Sequence, residues 1–153
     1  MWDRVLEAIA IGALVYGVVV VLQAWSTLPD TIPTHFDASG NADGFGPKGM
    51  IWLLPSISVV LVPAMLILRR FPWLSNVPIE ITEENAEKQY GLIVRLLSLL
   101  ACAVSLLFTA LVYDTILIAG GGNSLLDAWF MPIFLTGNMV PILWYFYAAF
   151  KGR

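Results

Sequence analysis

Four long apolar runs, Val5 to Trp25, Met50 to Leu68, Gly91 to Ala119 and Leu126 to Phe150, alternate with polar segments along the chain. Each is long enough to cross a bilayer, since about 20 helical residues span roughly 30 Å of hydrocarbon. Barrel strands would be about half that length and strictly alternating, and no such alternation runs through these segments. The pattern predicts an all-α membrane protein, a four-transmembrane-helix bundle forming one integral membrane domain over residues 1–153. The helices fall at about 5–25, 50–68, 82–119 and 124–150. A structured extracytoplasmic loop, residues 26–49, joins helices 1 and 2.

Polar residues refine the ends. Thr82 is the expected N-cap of helix 3, followed by Glu83, Glu84 and Glu87 at the positive end of the helix dipole, with Glu84 and Lys88 spaced for an i, i+4 pair. Ser124 and Asp127 fit a capping pattern at the start of helix 4, after the turn "GGGN". The first run reads as a retained helix rather than a cleaved signal. Asp3 and Glu7 dilute its basic end, it is long for a signal core, and "VLQAWS" lacks a small-residue cleavage site.

Composition agrees. Hydrophobic residues make up 59% and charged residues 12%, with a mean hydropathy of +0.81, against about a quarter charged in soluble domains. Arg4, Arg69, Arg70, Lys88, Arg95, Lys151 and Arg153 share one side of an alternating four-helix topology, and Lys48 alone lies on the other. The positive-inside rule therefore places both termini in the cytoplasm. The opposite face carries Asp30, Asp37, Asp43, Asp114 and Asp127 and is acidic.

Few polar groups lie within the runs. Asn138 must find a hydrogen-bond partner in lipid and is expected to face the bundle, where it could meet Pro55, Ser56, Ser58 and Pro63 of helix 2. Asp114 is the intramembrane acidic residue. Ala8, Gly12, Ala13 and Gly17 form two small-xxx-small pairs suited to close helix packing. Cys102 is the single cysteine and supports neither an intrachain disulfide nor a thiolate metal site.

The loop "LPDTIPTHFDASGNADGFGPKG" carries the chain's one histidine, and His35, Asp37, Asp43 and Lys48 are its candidate ligand-binding or loop-fixing residues. Asp37, Ser39, Asn41 and Asp43 repeat at every second position, like the first half of a calcium loop. Ala42 stands where such a loop needs its turn glycine and Lys48 where a bidentate Glu would close the cage, so no metal is assigned. One His with one Asp gives at most two zinc ligands. Gly40, Gly44, Gly46 and Gly49, with Asp and Asn bonded to local amides, explain the composition as a compact, water-facing cap. Charge-assisted bonds among His35, Asp43 and Lys48 would fix its shape.

Leu28, Pro29, Ile32, Pro33, His35, Phe36, Gly40, Asp43 and Lys48 match the pattern L-P-x-x-I-P-x-H-[WF]-x-x-x-G-x-x-D-x-x-x-x-K. The chain thus resembles the SdpI-like membrane proteins of bacteria and archaea, and the likeness extends to the flanking helices and loosely to the third. The resemblance implies a multi-pass protein of the prokaryotic cell membrane. It also implies immunity to a secreted peptide toxin, with recruitment of a transcriptional repressor as the cytoplasmic regulator. Phe36 replaces the commoner Trp, and the chain ends soon after "GNMVP", whereas larger members carry a second membrane module.

Two function classes follow. One is a non-enzymatic binding or immunity-type protein whose outer loop recognises a peptide, lipid or ion and signals inward. The other is an accessory subunit packed on a larger membrane complex. Enzymatic activity ranks below both, because no nucleophile and base stand paired, leaving an acid site at Asp114 as its only form. No cofactor and no direct nucleic-acid contact is expected; the bilayer is the first partner.

Overall fold

The computed structural model describes residues 2–37, 39–126 and 129–151. Asp127 and Arg153, assigned above to a helix cap, the acidic face and the basic side, lie outside them. Helix α1 is Trp2–Ala24, strands β1 and β2 are Thr31–Phe36 and Ala42–Pro47, and a 3-10 segment, Lys48–Trp52, leads into α2, Leu53–Leu68. A second 3-10 turn, Pro72–Leu74, precedes α3, Ala86–Ala119, and α4, Phe130–Lys151. Among the described residues four helices are long and apolar enough to span a membrane. The protein is a multi-pass membrane protein with a β-hairpin between its first two spans.

At 34 residues, α3 is about 50 Å long, longer than the hydrocarbon is thick, and α1, α2 and α4 all pack against it. Ala10, Val62, Leu66, Ala101 and Cys102 form the core shared by α1, α2 and α3. Small residues let α1 approach: Ser105 Oγ donates to the Ala10 carbonyl at 2.7 Å and Thr109 Oγ1 to the Ala13 carbonyl at 2.8 Å. At Gly17 a Cβ would lie 2.8 Å from Thr109 Oγ1, so this crossing requires glycine. Of the two small-residue pairs, Ala13 and Gly17 meet α3. Ala8 and Gly12 are exposed.

The end opposite the hairpin is fastened by charge. Arg69, at the foot of α2, pairs with Glu7 and donates to the Ser98 hydroxyl at 2.8 Å and the Asp3 carbonyl at 3.1 Å, joining three helices. Thr82 does cap, but one turn ahead of the helix proper. Its N–H donates to Asn85 Oδ1 at 3.0 Å and its hydroxyl accepts from the Asn85 N–H at 3.3 Å, and α3 begins at Ala86 with Asn85 at its N-cap. Glu84 and Lys88 form no ion pair.

Helix α4 starts six residues later than its sequence pattern indicates, at Phe130 rather than 124, because Ser124 is engaged elsewhere. Tyr145 and Ala149 pack on Ile93 of α3. Asn138 does not reach helix 2: its amide donates to the Phe134 carbonyl, one turn back in α4, at 2.8 Å. A side chain that can bond its own helix in this way needs no partner across the bundle.

Candidate functional site

An isolated two-stranded hairpin is marginal in water and needs an apolar support. Here Leu28 and Ile32 supply it, buried with Val21 of α1, Ile51 and Val112 of α3. The strands pair antiparallel from Thr31 opposite Pro47 to Phe36 opposite Ala42, with irregularities on either side of His35. Close pairing depends on Gly44, where a Cβ would stand 2.8 Å from His35 Cβ. The connecting turn closes through Asp37. Its Oδ1 accepts the N–H groups of Ser39 at 2.8 Å and Asn41 at 2.9 Å, and Gly40 sits at φ +82°. The Asn41 N–H is the main reason the Asp37 carboxyl titrates below its ordinary value.

The candidate residues of the loop therefore separate. His35 Nδ1 and Asp43 Oδ1 meet at 2.5 Å across the hairpin, with side chains 72% and 48% exposed. Lys48 is not part of that pair. Its Nζ lies 3.6 Å from Asp30 and 5.3 Å from the centre of the Trp25 ring, and its N–H donates to the Asp30 carbonyl, so it ties the base of the hairpin. Asp37 is committed to the turn and Asp43 to His35, while Ser39 and Asn41 enter the turn as donors to the Asp37 carboxylate rather than as an alternating row of oxygen ligands. Asn138 lies on α4, apart from this group.

Beneath β1 is a cavity of about 340 Å³. Its roof runs from Ile32 to Asp37; Met50, Leu53 and Leu54 form one side, Phe130 and Met131 another, and Leu111, Val112, Asp114 and Thr115 the floor. Asp114 is 1% exposed. Its Oδ2 accepts the Ser124 hydroxyl and its Oδ1 the Leu125 N–H, each at 2.7 Å, which folds the segment after α3 back over it. The structure thus brings Asp114 and His35 to one cavity, the carboxylate at its floor and the imidazole at its rim. Sequence reasoning missed Ser124 as the partner of Asp114. The signal was there: an acidic residue in an apolar run followed by a glycine turn and a serine.

A family model described as a domain of unknown function, DUF1648, matches residues 8–59, which run from α1 through the hairpin into α2. An uncharacterized protein of Archaeoglobus fulgidus is 34% identical over 65 residues, covering 37% of this chain and 36% of that protein. The chain therefore spans little more than a third of that relative. No solved structure matches.

Proposed function

We propose that this is a non-enzymatic binding protein of the prokaryotic cell membrane whose recognition site is the cavity beneath the hairpin, on the extracytoplasmic side. The observation that carries the reading is that cavity itself: mostly apolar walls with a few convergent polar groups, Asp114, Thr115 and His35, the usual make-up of a small-molecule site. Its ligand is amphipathic, reaching the hairpin end from the bilayer or from outside. The distribution of Lys and Arg supports cytoplasmic termini. Resemblance to SdpI-like proteins supports a protective role against a secreted peptide, with the Arg69 end available to a cytoplasmic regulator.

The test uses a long-chain alcohol carrying a photoactivatable diazirine next to its hydroxyl, added to the protein in phosphatidylcholine nanodiscs. Labels are expected on Ile32–Phe36, Met50–Leu54 and Phe130–Met131, and should disappear in Thr115→Trp, which fills the floor. Labels spread evenly along the exposed apolar face of α4, from Ile133 to Phe146, with no enrichment at the cavity would overturn the reading. That result would favour the alternative of an accessory subunit with its apolar faces covered by lipid or neighbours.

A further inference from the structure

Asp114 is a buried carboxylate with only neutral partners. Taking such a group out of water is expensive unless an opposite charge or good hydrogen bonds compensate, and in a membrane it marks a functional position. The Ser124 hydroxyl and the Leu125 N–H fill part of its bonding capacity. Among the described residues no Lys, Arg or His pairs with it, since Lys48 is held by Asp30 and His35 by Asp43.

One of those neutral partners has a second acceptor to turn to. The single hydroxyl proton of Ser124 has two acceptors in reach, Asp114 Oδ2 at 2.7 Å and the Leu126 carbonyl at 3.0 Å. Swinging to Leu126 frees one oxygen of Asp114 while Ser124 keeps a hydrogen bond. The carboxylate can then accept a donor from a ligand.

Asp114 and Leu126 also form a wall common to two cavities. Besides the one under the hairpin, a groove of about 640 Å³ runs between α1 and α3, lined by Ile9, Gly12, Tyr16, Leu106 and Ala110 and ending at Asp114. Gly12 helps to open it, because nothing stands within 4 Å of where its Cβ would be. The groove follows two spanning helices, so a hydrocarbon chain is what fits along it. At the hairpin end the chain would meet the Asp114 carboxyl, which has hydrogen-bond donors but, among the described residues, no cation beside it.

We propose that the ligand is a single-chain amphiphile with a protonated amine head, its head in the hairpin cavity against Asp114 and its chain along the groove between α1 and α3. This rests on the hairpin cavity being the recognition site and adds the charge and shape of what enters it. Charge complementarity selects the amine: a carboxylate head would set two acidic groups face to face, and a hydroxyl head would bring no opposite charge to Asp114.

The experiment compares three diazirine probes of equal chain length, an amine, an alcohol and a carboxylic acid, on the protein in phosphatidylcholine nanodiscs at neutral pH. In wild-type protein the amine should label the cavity at about a tenfold lower concentration than the alcohol, as one charge-assisted bond provides, and the acid should be poorest. Asp114→Asn, which can still accept the Leu125 N–H, should bring the amine to the level of the alcohol. Gly12→Leu should weaken all three probes by filling the groove. Equal labelling by amine and alcohol in wild type would overturn the proposal while leaving the cavity as a site, and needs no variant to fold. Failure of every probe to label the cavity would remove the underlying reading as well.

Discussion

Asp43→Asn should barely loosen the hairpin, whereas Ile32→Ala should release it. His35 and Asp43 are close, but with 72% and 48% of their side chains exposed water competes for both, and such a pair contributes roughly 0.2 to 1 kcal/mol. A bond of this kind is stronger only when shielded, which this one is not. Ile32 is 1% exposed in the cluster that seats the hairpin on α1 and α3, and truncating a buried Ile to Ala costs roughly 2 to 5 kcal/mol. In a domain of this size 1 kcal/mol moves the melting temperature by about 2 to 4 °C. Asp43→Asn should therefore melt within about 4 °C of wild type, and Ile32→Ala several times further below it. Thermal melting of the purified protein, followed by tryptophan fluorescence, reads both, since the Trp25 and Trp52 rings lie 6.2 Å apart at the base of the hairpin. Equal destabilisation by the two substitutions would refute the reasoning and make the polar pair the hairpin's anchor. If the pair is weak, loss of probe binding in Asp43→Asn with an unchanged melt would instead assign Asp43 a direct part in recognition.

Gly17→Ala should destabilise the protein by about 1 to 3 kcal/mol through overpacking, because its methyl would meet the Thr109 hydroxyl. Gly12→Ala, with open space around it, should stabilise by about 0.5 to 1 kcal/mol through helix propensity; thermal melts that rank the two the other way would show that α1 packs on α3 through a different face. The turn at residues 37–41 should respond to acid. Asp37 has a depressed folded pKa, so its contribution is present above the ordinary carboxylate range and is lost as pH falls through the lower folded value. The Ser39 and Asn41 amide resonances should shift with a midpoint below the unperturbed 3.8, and a midpoint at or above it would show that the carboxylate does not hold the turn.

The spans were legible because they depend on local length and hydropathy, and the four predicted helices fall on α1 to α4 to within four residues except at the start of α4. There Ser124 offered a cap, but its hydroxyl goes to Asp114, ten residues earlier, a choice made by tertiary packing. The outer loop read as a structured cap, yet not as strands. Pro33 in β1, and Gly44, Gly46 and Pro47 in β2, are poor strand formers. Their pairing is set by the Asp37 turn and by burial of Ile32 rather than by propensity. Asn138 misled because an intramembrane amide has two ways to be satisfied, and sequence does not distinguish a bond within the helix from one across the bundle. His35 and Asp43 were readable as neighbours in one loop. The meeting of His35 with Asp114 at a single cavity was not, because α3 passes under the hairpin only in the folded bundle.

The position of the cavity relative to the loop motif bears on what the motif can specify. Leu28 and Ile32 seat the hairpin, Gly40 and Asp37 turn it, Gly44 lets the strands close, and Lys48 ties its base to Asp30. These roles all serve to hold β1 as a roof. The floor comes from α3 and one wall from α4, where Asp114 and Thr115, and Phe130 and Met131, lie far beyond the loop. A protein that keeps the loop motif therefore keeps the roof, and can still change what fits beneath it by altering α3 and the start of α4. On the reading proposed above, charge at the position of Asp114, more than any residue of the loop, would set which head group the cavity accepts.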